Sequence, residues 1–192
     1  MQLTIPFSIW QKIMLYAKCS LPNEVTGIGL VELEPNTDDH YRVTKIFLPK
    51  QSVNPVFSQF SETGLNEIIS DVIAEDVQDA VKLRFRWHSH GNSKVFYSDI
   101  DNADIEKCES NWVFNLIVNA RGDYCIRFDQ LRPIRIRNHP VKLVIDYLDG
   151  ANIMPIMKDL ALNVTVQQLP SLALKGGDKN GTKGLFGSAK LF

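Results

Sequence analysis

The segment Lys82–His90, KLRFRWHSH, constrains this chain more than any other. Leu83, Phe85 and Trp87 alternate with Arg84, Arg86 and His88, the two-residue period of a strand with one apolar and one polar face. The same period brings His88 and His90 to the strand's end on one side, where two imidazoles can grip a single ion. With four histidines in 192 residues, about 0.1 His-x-His pairs are expected by chance, so the pair needs a third ligand before it identifies a site.

Asp101 supplies a candidate. It lies 11 residues after His90, at the start of a helix expected over Ser98–Glu109, so a strand end, a turn and a helix mouth can converge there. Two imidazoles and one carboxylate leave a fourth tetrahedral position open for water, the pattern of a catalytic rather than a structural zinc. Bound zinc brings the pKa of its water to near 7. Other uses of these residues are ordinary. Ser98-x-x-Asp101 also matches a helix capping box, a histidine pair at a strand end is often surface decoration, and a lone Glu24 is usually solvated.

The remaining periodicities indicate mixed secondary structure. Apolar residues at helical spacing predict helices over Ser8–Lys18 and Ser61–Ala80, and apolar or alternating runs predict strands over Val25–Leu33, Tyr41–Leu48, Trp112–Asn119, Tyr124–Leu131 and Val141–Leu148. Glu24 then stands at a strand mouth. The stretch between Pro49 and Pro55 reads as a mobile loop, and a weak helix is expected around Met154–Leu162. Helices and strands mixed in this way point to an α+β or α/β domain over residues 1–165. The tail, residues 166–192, has five of the chain's 11 glycines and four lysines against one acid from Lys175 onward, a linker composition in which LALKGG is unremarkable.

Composition narrows the function classes. A formal charge of -1 gives no net field for nucleic acid or an anionic membrane. Arg132, Arg135 and Arg137 alternate with Pro133, Ile134 and Ile136 as a solvated edge strand would. Cys19, Cys108 and Cys125 are too few and too widely spaced for a disulfide framework or a zinc knuckle, and read as reduced thiols in or near a core. No apolar run reaches the ~18 residues of a membrane span. A cytoplasmic protein without nucleic-acid or membrane partners is expected.

The stretch from His88 to Asp101 resembles the motif of the JAMM, or MPN-plus, metalloproteases: His88-Ser89-His90, seven residues from Gly91 to Tyr97, then Ser98, two residues and Asp101. Upstream, PNEVTGIGL is similar to the family's Pro-x-Glu-x-x-Gly strand and aligns Glu24 with its acid. Helix, strand, helix, histidine strand and helix follow in family order over about the first 130 residues. Gly91 stands where the family usually has proline, and Thr26 where it often has cysteine.

The resemblance implies an MPN/JAMM domain, with a cytidine-deaminase-like mixed sheet flanked by helices, of a prokaryotic or phage type. It implies one Zn²⁺ held by His88, His90 and Asp101, with Glu24 moving the proton of the attacking water and Ser98 steadying the oxyanion. The implied substrate is a ubiquitin-like or sulfur-carrier protein cleaved after a C-terminal Gly-Gly, with a partner subunit as an additional requirement in some relatives. Two other classes use the same features. A non-haem iron oxygenase also binds metal through two histidines and a carboxylate, though on a jelly roll and with no part for Glu24. A scaffold or binding subunit of the same fold needs no turnover at all.

Overall fold

The computed structural model describes residues 1–150 together with Met154, Lys158 and Asp159. Contacts divide the chain into two units, Met1–Asn152 and Ile153–Phe192. In the second unit Met154, Lys158 and Asp159 are helical. The rest of the expected helix there, the 165/166 boundary and the Gly/Lys-rich tail lie outside the described residues.

The first unit is a mixed α+β structure. Its elements in chain order are β1 (Gln2–Pro6), α1 (Phe7–Cys19), β2 (Thr26–Leu33), β3 (His40–Phe47), β4 (Gln51–Asn54), β5 (Phe57–Phe60), α2 (Glu62–Glu75), a 3₁₀ turn (Val77–Lys82), β6 (Leu83–Ser89), α3 (Asp99–Glu106), β7 (Trp112–Val118), β8 (Tyr124–Gln130), β9 (Ile136–Pro140) and β10 (Lys142–Asp146). Eight strands form one sheet in the order β10-β1-β3-β2-β6-β7-β8-β9, and β4 with β5 forms a separate hairpin. Parallel pairing of β6 with β7 requires a crossover between them, and α3 lies on that connection.

Alternation along β6 and β7 sorts side chains between the two faces of the sheet. Phe85 and Trp87 join Phe114, Leu116 and Val118 in the main core, against which Ile9, Trp10, Met14 and Tyr16 of α1 pack. Trp87 is fully buried and stacks on Tyr16 with ring centroids 5.9 Å apart. A side chain of this size and burial is worth about 3–5 kcal/mol against truncation. It lies so close to β2 that a Cβ at Gly27 would meet its ring at 2.4 Å, so the small residue in TGIGL is needed for the fit. On the opposite face, Ile105 of α3 packs with Val113 and Leu131 in a smaller cluster.

Several elements differ from expectation. The helix expected over Ser61–Ala80 ends at Glu75, because Asp76 takes an extended backbone and its carboxylate accepts from the Gln78 N–H at 2.8 Å, starting the 3₁₀ turn. The expected loop between Pro49 and Pro55 is instead partly β4, paired through a tight turn to β5, with Asn54 Oδ1 accepting from the Val56 N–H at 2.9 Å. β1 was not legible as a strand. It runs parallel to both β10 and β3, and Leu3, Thr4 and Ile5 are all buried, so it has no polar face to produce an alternating pattern. Cys19 is exposed at the end of α1 rather than near the core, while Cys108 and Cys125 are half-buried; all three are free. Of the arginines read as part of an edge strand, Arg137 lies in the exposed edge strand β9, while Arg132 and Arg135 precede it. No helix among the described residues is long and apolar enough to cross a membrane.

Candidate metal centre

The β6–α3 connection brings the carboxyl end of a strand beside the first turn of a helix. β6 ends at Ser89, yet the next N–H, that of His90, still bonds the Val118 carbonyl at 2.9 Å, so the alternating geometry extends through the histidine pair. The two Nε2 atoms stand 3.1 Å apart. Asp101 completes the group: its Oδ1 is 3.2 Å from His88 Nε2 and its Oδ2 is 3.8 Å from His90 Nε2.

A tetrahedral ion with ligand bonds of roughly 2.0–2.1 Å separates its ligand atoms by about 3.3 Å. The separations of His88 Nε2 from His90 Nε2 and from Asp101 Oδ1 are of that size, and one donor atom from each of the three residues lies within 4.8 Å of the others. His88, His90 and Asp101 could therefore hold a metal ion.

Burial and hydrogen bonding act differently on the three candidate ligands. Burial lowers the proton affinity of His88 and outweighs the carboxylate of Asp101, which favours a neutral ring with a lone pair to give. For His90, burial acts in the same direction, but hydrogen bonds to Asp101 and to the Lys94 carbonyl, with the charge of Glu24, outweigh it and raise the pKa. His90 Nδ1 lies 3.0 Å from the Lys94 carbonyl oxygen. Because that oxygen can only accept, Nδ1 carries a proton and Nε2 faces the cluster, where it donates to Asp101 when the ring is charged and offers a lone pair when the ring is neutral. Burial opposes ionisation of Asp101, yet hydrogen bonds from His88, His90 and Ser98 hold it far below the usual carboxylate range.

Both uses weighed for Ser98 and Asp101 in the sequence are compatible. Ser98 caps α3 in a reciprocal capping box: its Oγ accepts from the Asp101 N–H at 3.2 Å, while its own N–H and O–H donate to Asp101 Oδ2 at 2.7 and 2.6 Å. The cap engages one carboxylate oxygen and leaves Oδ1 facing His88.

Glu24 lines the same cleft, half-buried, just before β2. Burial pushes its carboxyl up to about 7; His90 pulls against this and the Asp101 charge adds to it. Its backbone is fixed from two sides. Glu24 N–H donates to the Asn54 carbonyl of β4 at 2.9 Å, and the next residue, Val25, exchanges bonds with Ser89, whose Oγ accepts from Val25 N–H at 3.0 Å and whose N–H donates to the Val25 carbonyl at 2.8 Å. Ser89, the spacer between the two histidines, is fully buried and so holds the segment bearing Glu24 beside the metal ligands. Arg86, two residues before His88, bonds the carboxylate of Asp104, three residues after Asp101, and so ties the two ligand-bearing elements together. Neither Ser89 nor Arg86 was singled out from the sequence. Position was the available signal: Ser89 faces away from the ligands in the strand pleat, and Arg86 and Asp104 keep step with His88 and Asp101 at strand and helix spacing.

The cleft has a volume of about 550 Å³. The β4–β5 turn and β5 line one side, and Phe96 with the first turns of α3 line the other. Val56, Phe96 and Ile100 are exposed at its rim. After the histidines, Gly91 has φ +52. Proline, the usual residue of the resembled family at this point, is locked near −65°, so the loop here takes a path that a proline would forbid.

No protein-family model and no curated protein matches the sequence. The fold is similar to the solution structure of protein DSY2949 from Desulfitobacterium hafniense, with a TM-score of 0.51 and 14% identity, over 76% of this chain and 94% of that one. At that identity the likeness extends to the fold and no further.

The raised pKa of Glu24 makes a direct prediction for the metal-free protein. A carboxyl at about 7 when folded, against 4.5 ordinarily, keeps its proton over a range in which the unfolded chain has lost it. This contribution to stability is therefore present at low pH and is lost as pH rises through about 7. Carboxyl-carbon NMR of the metal-free protein should give a Glu24 midpoint near 7, moving down when a divalent cation is added; a midpoint near 4.5 would contradict the burial described here.

Proposed function

We propose that this chain is a zinc-dependent metallohydrolase of the MPN/JAMM type, cleaving the peptide or isopeptide bond after a C-terminal Gly-Gly of a ubiquitin-like or sulfur-carrier protein. The observation that carries the reading is the convergence of His88, His90 and Asp101 at ligand spacing in a cleft also lined by Glu24. The donor set of two nitrogens and one carboxylate oxygen suits zinc with a position left open. Zinc bound there supplies Lewis acidity, making a water nucleophilic at neutral pH and polarising a carbonyl.

The protein's own groups account for the remaining steps. Glu24, with a proton affinity near neutrality, accepts a proton from the attacking water and returns it to the leaving amine, both within the range of one carboxyl. Ser98 helps to keep Asp101 ionised, so that carboxylate does not compete for the proton, whereas the proton affinities of Glu24 and His90 are linked by their charges. Ser98 serves first as the anchor of Asp101. Its hydroxyl has a single proton, at present donated to Asp101 Oδ2, and assisting an oxyanion requires that proton to turn away. The cleft between β5 and α3 accommodates an extended chain terminus, with Val56, Phe96 and Ile100 offering apolar contacts along its rim.

The test is metal analysis of the purified protein together with hydrolysis of several Gly-Gly-linked ubiquitin-like conjugates, with and without a chelator. One zinc per chain and cleavage abolished by the chelator and restored by zinc are expected. Iron in place of zinc would favour the oxygenase chemistry, and zinc without cleavage of any conjugate would favour a scaffold or partner-dependent subunit.

A further inference from the structure

Behind Asp101 lies a buried polar network that the chemistry described so far does not use. Arg127 and Asp129 on β8 form an ion pair, Arg127 Nε to Asp129 Oδ2 at 2.8 Å, with side-chain exposures of 6% and 0%. Asn115 on β7 donates to the same carboxylate oxygen at 2.8 Å, while Arg127 Nη1 reaches Asn138 Oδ1 at 2.7 Å. Burying an ion pair carries a desolvation cost that its own attraction often fails to recover, so its contribution to stability is weak grounds for its presence. Joining β8 to β9 accounts for the contact with Asn138, and leaves the flat face of the guanidinium unexplained.

That face is covered by Tyr97, whose ring centroid lies 3.9 Å from Arg127 Cζ. The Tyr97 hydroxyl donates to the Asn115 carbonyl at 2.5 Å, so the side chain is held at both its ring and its tip by residues of one network. Tyr97 immediately precedes Ser98, the residue whose N–H and O–H fix Asp101 Oδ2. A continuous set of contacts thus runs from the sheet interior to the ligand carboxylate. We propose that Tyr97 and Arg127 are positioning residues for the metal centre, the stacked pair fixing the Ser98 cap and thereby the direction in which Asp101 Oδ1 points. This rests on the assignment of His88, His90 and Asp101 as metal ligands. A planar cation is required for the stack; lysine has the charge without the plane.

Zinc affinity, measured by competition with a chromophoric chelator, and the visible spectrum of the cobalt-loaded protein test the pair. Melting curves of the metal-free forms serve as the structural control. Tyr97→Ala and Arg127→Met should each weaken zinc roughly 10–100-fold and alter the cobalt spectrum. Arg127→Lys should fail to restore either property, and Tyr97→Phe, which keeps the ring, should restore most of both. Asn138→Ala, which removes the hydrogen bond from Arg127 Nη1 toward β9 but keeps the stack of Arg127 on Tyr97, should leave affinity within about twofold of wild type even where the positive φ at this position lowers the metal-free melting temperature. Wild-type zinc binding with unchanged affinity in Tyr97→Ala and Arg127→Met overturns the positioning role while the metal site stands. Affinity lost equally in Asn138→Ala, and in proportion to the fall in metal-free melting temperature, also overturns it. A wild-type protein that binds no zinc removes the metal site and the positioning role together.

Discussion

Glu24→Gln should bind zinc as wild type does and lose about 10²–10⁴-fold in turnover of a cleavable Gly-Gly conjugate. Glutamine keeps the length and polarity of the side chain, and the backbone bonds that fix this segment, Glu24 N–H to the Asn54 carbonyl and Val25 to Ser89, do not involve the carboxyl. Only the ability to take up a proton is removed. The loss should therefore fall on kcat, with KM nearly unchanged, as for an interaction realised in the transition state. Burial and the surrounding charges have brought this carboxyl to about 7, where acceptance and return of a proton are both inexpensive at neutral pH. Steady-state kinetics beside metal analysis decide the matter: full activity in Glu24→Gln would exclude Glu24 as the proton carrier.

The second large effect concerns Asp101, which caps α3 and is proposed to ligate the metal, and two substitutions separate these roles. Asp101→Ala removes the third donor and the capping-box acceptor at once. Zinc affinity should fall by more than roughly 100-fold, beyond the usual loss for an outer-shell residue, and the metal-free protein should lose about 1 kcal/mol from the cap. Asp101→Asn keeps an oxygen to accept from the Ser98 N–H and O–H, so its metal-free melting temperature should stay near wild type. It lacks the negative charge that His88, His90 and Ser98 hold in place, and should still bind zinc poorly. Calorimetric titration with zinc and thermal melts give the two quantities independently. Wild-type affinity in both variants would mean that Asp101 is a cap and nothing more.

What could be read in advance follows from how far each interaction reaches along the chain. α1 and β6 were legible because each buries one face and repeats at its own period, β2 because its small and apolar run is long enough to read as a buried strand, and α3 because its capping residues mark its start; β1, five residues long and buried on both sides, has none of these signals. The β4–β5 hairpin escaped notice because its strands are four residues each and contribute no residue to the main core. His88, His90, Ser98 and Asp101 lie within one short stretch of chain, so their grouping was visible in spacing. Their supports were not. Ser89 meets Val25 across 64 residues and Arg127 meets Tyr97 across α3, β7 and the turn into β8, and no local pattern encodes such pairs.

One consequence concerns the hairpin that forms a wall of the cleft. Its stem is stapled to the start of β2: Gln51 Oε1 accepts from the Thr26 N–H and Gln51 Nε2 donates to the Thr26 carbonyl, both at 2.9 Å, and Asn54 holds Glu24 itself. A hairpin fixed in this way cannot swing outward like a door without pulling Glu24 along with it. The width of the cleft on this side and the placement of Glu24 are therefore mechanically coupled.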